Sequence, residues 1–227
     1  MDYYFVVYGL TIISIIITSL AQFFVSNSYS KFKKIKNERN VTGEYAARYV
    51  LDKHNLNDIK VVETKGYLTD HYDHTNRVIR LSSEIYHGSS IASISVACHE
   101  CGHAIQDKEK YLFLRIRNKL IPLVNFSSYA GYFAIVLGCI FGSLNLIWLG
   151  IAAEMFILLF QIITLPVEIN ASRRALKELD YSHFLNSTEL KKGKTMLTAA
   201  ALTYVASIAT VLIQILRLIL MYGRRED

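Results

Sequence analysis

His99-Glu100-Cys101-Gly102-His103 puts two imidazoles and a carboxylate within reach of one metal ion. On an α-helix, residues four apart are separated by about 40° around the axis, so both histidines meet one Zn²⁺ from one face. Glu100 lies roughly 80° from their mean direction, close enough to hold a water at that ion and take its proton. That is the general-base role in metal-assisted hydrolysis.

Two histidines leave a catalytic zinc site incomplete, because such a site ordinarily has three protein ligands and one open position. The extended pattern H-E-x-x-H-x-x-G-x-x-H needs glycine at 106 and histidine at 109, where the chain carries Gln106 and Glu109. The other common solution is a downstream glutamate on a second helix. Pro166-Val167-Glu168 offers one: Val167, Ala171 and Ala175 form a small apolar stripe, with Glu168 along the same side. Pro166 either opens a new helix or kinks an existing one. Glu154 is the competing carboxylate, but it stands 14 residues earlier, about 21 Å along a continuous helix. There it falls inside an apolar run, where a charge costs roughly 2.5 to 3.5 kcal/mol, so it is expected to be protonated, paired or facing a polar cavity.

The elements that must position these residues are largely membrane helices. The chain has 227 residues, 52% of them hydrophobic, and a mean hydropathy of +0.26. Residues 3–30, 120–153, 155–167 and 195–216 carry no charged side chain. A span needs about 20 apolar residues, which predicts four spans near residues 3–25, 121–141, 144–165 and 195–222. Gly142-Ser143-Leu144-Asn145 divides the second from the third as a tight turn. Ser19-Leu20-Ala21 resembles a signal cleavage site, yet no basic residue precedes it, and Lys31, Lys33, Lys34, Lys36 and Arg39 follow. This is the pattern of an uncleaved anchor whose C-terminal end is cytoplasmic.

Charge orients the rest. Of 25 Lys and Arg, 16 fall between Lys31 and Lys119, six between Arg173 and Lys194, and three beyond. The asymmetry predicts that both loops are cytoplasmic and both chain ends external. An even number of spans separates His103 from Glu168, so both return to one side. The pI of about 9.1 is thereby explained by lysines that face anionic lipid beside the spans, which argues against a nucleic-acid partner.

The expected organisation is an anchor over residues 1–30, a cytoplasmic zinc-protease domain over 31–119 and a membrane hairpin over 120–165. A cytoplasmic helix with the third ligand over 166–194 and a final span and tail over 195–227 complete it. Within the cytoplasmic domain, Thr42 caps a helix over 44–54, strands run over 59–64 and 77–82 with a turn at Gly66, and Ser89 or Ser90 caps the histidine helix, which ends near Gln106. Cys98 and Cys101 fall on the helix face opposite the histidines and read as core residues; Cys139 reads as filler in a span. Gly138-x-x-x-Gly142 and the alanine-rich start of the last span suit close helix packing, within one chain or between copies of a homo-oligomer.

Several stretches in this order closely resemble the YugP-type membrane zinc metallopeptidases. They are Leu68-Thr69-Asp70-His71-Tyr72-Asp73, Val78-Ile79-Arg80-Leu81-Ser82, residues 90–106 ending in His-Glu-Cys-Gly-His-Ala-Ile-Gln, and Leu165-Pro166-Val167-Glu168 with Ala171-Ser172-Arg173-Arg174-Ala175-Leu176. The resemblance covers nearly the whole chain. It implies a bacterial plasma-membrane protease with Zn²⁺ held by His99 and His103 and Glu100 as catalytic base, and it strengthens Glu168 as third ligand. Other glutamate-ligand zinc proteases often carry, four residues after the ligand, an aspartate bonded to a zinc histidine; here that position is Ser172.

The expected fold is therefore an α-helical membrane protein with four transmembrane helices and a small α+β zincin-like cytoplasmic domain. Its substrate would be a peptide or membrane protein cut at the cytoplasmic face of the bilayer, lying extended along Arg77, Val78, Ile79, Arg80, Leu81 and Ser82. His71, Tyr72, His74 and His87 are candidate oxyanion or substrate contacts that also read as ordinary loop or surface positions, although His71 and Tyr72 lie in a family-like motif; Tyr181 and His183 follow Glu168 closely enough to reach the site in a catalytic role. The same residues also allow a non-catalytic scaffold with a structural zinc, or a zinc hydrolase acting on a lipid-linked amide.

Overall fold

The computed structural model describes residues 3–223. Met1, Asp2 and residues 224–227, on which the expectation of external chain ends falls, lie outside the described residues. The element order is α1 (Tyr3–Phe32), α2 (Gly43–Lys53), β1 (Lys60–Thr64), β2 (His71–Asp73), β3 (Val78–Ser82), α3 (Ser83–His87), α4 (Ile91–Lys108), α5 (Leu112–Phe141), α6 (Leu144–Tyr181) and α7 (Ser187–Tyr222). Four of these helices, α1, α5, α6 and α7, are long and apolar enough to cross a membrane. Each runs past the apolar stretch expected to span, because charged ends such as Lys31 or Arg173 continue a helix at no loss of backbone hydrogen bonding. Pro166 lies inside α6 and neither starts nor ends it.

The chain forms two compact units. The first comprises Met1–Phe23, Arg115–Leu165 and Leu202–Asp227, and its described residues are helical apart from the turn at Gly142 and Ser143. Its core gathers Ile147, Ile151, Ile215 and Leu218, with Ile135, Trp148 and Val211 packed around them. Helices α5 and α6 approach closely through glycines: a Cβ at Gly150 would sit 2.3 Å from Ile135 Cγ1, and one at Gly138 2.7 Å from Ile147 Cγ1. Gly142 makes no such contact; its φ of +66° marks the turn between the two helices. Phe5, Ile12, Ile15, Phe126, Phe133 and Ile140 remain exposed, as side chains facing lipid would be.

The second unit, Phe24–Leu114 with Pro166–Ala201, carries a three-stranded mixed sheet ordered β1-β3-β2. β3 pairs parallel with β1, Lys60 opposite Val78, and antiparallel with β2, His71 opposite Arg80. The third strand, β2, is absent from the expected organisation because His71-Tyr72-Asp73 is too short to show alternation. Thr42 Oγ1 accepts the Tyr45 amide at 3.2 Å and Ser90 Oγ the Ser93 amide at 3.0 Å, capping α2 and α4 as their sequences predict. Their apolar faces meet in one core containing Ala47, Val50, Leu51, Ile79, Leu81, Ile94, Ala97, Cys98 and Cys101.

Candidate metal centre

α4 is buried over most of its length, and His99 and His103 leave it on the face turned toward α6. Their rings lie edge to face with centroids 4.8 Å apart. Glu168 projects from α6 between them: its Oε2 is 3.3 Å from His99 Nε2 and 3.6 Å from His103 Nε2. All three ligand atoms fall within 4.8 Å of one another. Two ligands of a tetrahedral zinc with bonds near 2.0 to 2.2 Å stand about 3.4 Å apart, so the donor set and its spacing fit the ion. Glu154 is not among the clustered ligands.

The close approach of the two helices depends on Gly102. A Cβ there would lie 2.6 Å from the Ala171 carbonyl oxygen, so any larger residue would hold α6, and Glu168 with it, away from the histidines. Electrostatics favour an ionised Glu168: burial pushes its carboxyl up, but hydrogen bonds and charge from His103 and His99 outweigh this and hold it well below the usual range.

Each histidine is fixed from behind. Ser172 Oγ lies 3.2 Å from His99 Nδ1, and Gln106 Oε1 lies 3.0 Å from His103 Nδ1. Gln106, fully buried, donates through Nε2 to the Val167 carbonyl at 2.8 Å and to Asn170 Oδ1 at 3.0 Å. Asn170 Oδ1 also accepts from Arg174 Nε at 2.7 Å. With its amide nitrogen on two acceptors, Gln106 can only present its oxygen to His103, so Nδ1 carries a proton and Nε2 is the nitrogen that would ligate a metal. Sequence reasoning misses Gln106 as a functional residue. A signal exists nonetheless: position 106 is three residues after His103 and shares its helix face.

Glu100 is buried and points to the sheet, where its Oε2 accepts the Tyr72 backbone amide at 2.9 Å. Tyr72 turns its hydroxyl away to donate to Asp107 Oδ2 at 2.9 Å; burial and that carboxylate push its phenol far up. Asp70 accepts hydrogen bonds from the Ser82 amide at 2.7 Å and the Ser82 hydroxyl at 3.0 Å. Burial lifts the Asp70 carboxyl above its ordinary range against those bonds, and the Glu100 charge adds to the rise.

Two expectations about substrate contact change. Arg77 to Ser82 cannot serve as the substrate-pairing edge, because Val78, Ile79 and Arg80 are paired with β1 on one side and β2 on the other. Leu81 is buried in the core, the Ser82 amide is taken by Asp70, and Arg77 sits in the turn before β3 with φ +51° and binds Asp58 at 2.6 Å. The open edge is β2. His183 is not at the site: it follows the end of α6, more than 13 residues and about 20 Å beyond Glu168. His71 is exposed on β2, with Nδ1 2.8 Å from the Thr69 carbonyl. Cys98 and Cys101 lie in the core, and burial pushes both thiols up.

The family described as "Putative neutral zinc metallopeptidase" matches residues 7–223. The "Putative membrane protease YugP" of Bacillus subtilis (strain 168) is 43% identical over 220 residues, covering 96% of this chain and 98% of that protein. No solved structure matches significantly. A match that runs through all four apolar helices and through the residues converging on Glu168 shows that the chain belongs to that zinc metallopeptidase family.

Proposed function

We propose that the protein is a membrane-embedded zinc peptidase that cuts peptide bonds at the cytoplasmic surface of the bilayer. The observation that carries this reading is the convergence of His99, His103 and Glu168 beside a buried Glu100 that is not one of the ligands. Zinc held by the three ligands would polarise the scissile carbonyl and acidify water. Glu100 takes the proton of the attacking water and returns it to the leaving amine, and the Tyr72 amide holds its carboxylate in place. Ser172 and Gln106 hold both histidine rings by Nδ1, leaving each Nε2 turned to the ligand site. The outward edge of β2 is where an extended peptide would lie, with the Tyr72 carbonyl as its main-chain acceptor, since the Tyr72 amide is already taken by Glu100.

The position of Glu168 supports cleavage near the membrane. It lies three residues beyond the expected end of the third span, which places its Cα roughly 5 Å along the helix from that end. Digestion of peptide libraries by wild-type protein and by Glu100→Gln tests the reading: the wild type cleaves and the variant, zinc-replete, does not. Full activity in the variant, or a zinc-loaded wild type that cleaves nothing, would overturn it.

A further inference from the structure

Between β1 and β2 the chain makes a turn whose tip exposes two large apolar residues, Tyr67 at 56% and Leu68 at 47%. The turn is firmly held. Gly66 adopts φ +115°, Thr69 Oγ1 donates to the Lys65 carbonyl at 3.3 Å, and Asp70 is bonded to Ser82 of β3. Leu68 has φ +56°, a left-handed conformation that is strained for a residue with a branched side chain and that asparagine or glycine fills more easily. An apolar side chain is thus carried outward at a backbone cost.

The neighbours of this tip come from the end of a membrane helix. The Tyr67 ring meets the Tyr29 ring edge to face at 5.4 Å, and Lys33 Nζ lies 5.5 Å from the Tyr67 centroid and 5.8 Å from that of Tyr29. Lys33 is further fixed by Glu84 at 3.1 Å. Residues 3–25 of α1 supply about 34 Å of apolar helix, enough for the roughly 30 Å hydrocarbon core. Tyr29 comes four residues later, about 6 Å further, within the polar layer of roughly 5 to 8 Å that flanks the core on each side. Tyr29 itself is buried and backs the tip, so the tyrosine open to that layer is Tyr67, and Lys31, Lys34 and Lys36 nearby attract anionic headgroups.

We propose that the Gly66–Thr69 turn is a membrane-surface anchor, with Tyr67 and Leu68 seated in the lipid headgroup layer against Tyr29 and Lys33. The turn leads directly through Asp70 into β2, whose Tyr72 amide holds Glu100, so the anchor sets the strand beside the general base at a fixed depth relative to lipid. Only this consequence rests on the proposed function; the anchoring itself does not require hydrolysis.

A depth measurement tests it. In a Cys139→Ser background, where Cys98 and Cys101 are buried, a nitroxide is attached at Leu68→Cys or, on the turn at the other end of β2, at Asn76→Cys. The full chain is reconstituted metal-free in vesicles of phosphatidylethanolamine and phosphatidylglycerol. The ratio of collisions with lipid-soluble oxygen to collisions with a water-soluble nickel complex is expected to be several-fold higher at 68 than at 76, and a Tyr67→Cys label is expected to behave like 68. Equal ratios at 67, 68 and 76 would show that the turn projects into water and would overturn the proposal, whatever the peptidase assay gives.

Discussion

Zinc affinity at this candidate site is expected to depend on a residue that would not touch the ion. Gln106 orients His103 and, through the Val167 carbonyl and Asn170, grips the turn of α6 that carries Glu168. Loss of such an outer partner typically costs 10- to 100-fold in metal affinity. Gln106→Ala is accordingly expected to weaken zinc binding about 10- to 100-fold in competition with a chelating dye, and Ser172→Ala to weaken it less, since the hydroxyl makes a single, longer contact at 3.2 Å. Affinity unchanged in Gln106→Ala would mean that His103 is oriented by packing alone. The residue scale is the most legible in the sequence: helical spacing groups His99 with His103, and the expected return of the chain to one side of the membrane singles out Glu168, which clusters with them. The partners behind the histidines are legible only in part. Ser172 stands out by its place in a motif, whereas Gln106 requires knowing that α6 passes within van der Waals reach of Gly102.

At the scale of elements, α6 is fastened to α2 as well as to α4. Glu178, buried at 6% exposure, binds Lys53 at 2.7 Å and His54 at 2.9 Å, while Lys53 stacks on the Tyr181 ring at 3.7 Å. Burial pushes the Glu178 carboxyl up, but the hydrogen bonds and charges of Lys53 and His54 prevail and hold it below its ordinary range. A depressed carboxylate stabilises the fold fully above its unfolded value, about 4.3, and loses that contribution as the pH falls through its lower folded value. Metal-free Glu178→Gln should therefore be less stable than wild type at pH 7, by about 1 to 3 kcal/mol, with the gap in thermal unfolding closing in acid. A gap that stays constant down to pH 3 would assign the effect to packing. The elements themselves are only partly readable. Caps at Thr42 and Ser90 announce α2 and α4, but β2 has three residues and no alternation. Without β2, β3 reads as the open edge. Its Val78, Ile79 and Leu81 are apolar because a central strand packs against the core.

At the scale of the whole molecule, the metal centre is expected on the cytoplasmic side of a four-span protein. Cysteines placed at Lys34 and Lys192 in a Cys139→Ser background should resist an impermeant thiol reagent in intact cells and react after permeabilisation; reaction at either position in intact cells would invert the topology. Charge asymmetry is what predicts this arrangement, since lysines gather where translocation is disfavoured. The grouping of Phe24–Leu114 with Pro166–Ala201 into one unit is less so, because it depends on packing between segments far apart in the chain. The most direct test of the metal centre is the zinc content of the purified protein, measured per chain for the wild type, Glu100→Gln, Glu154→Gln and Glu168→Ala. One zinc is expected in the first three and a large loss in Glu168→Ala, because Glu168 alone of these carboxylates meets both histidines. A zinc-replete Glu168→Ala protein alongside a metal-free Glu154→Gln protein would contradict it.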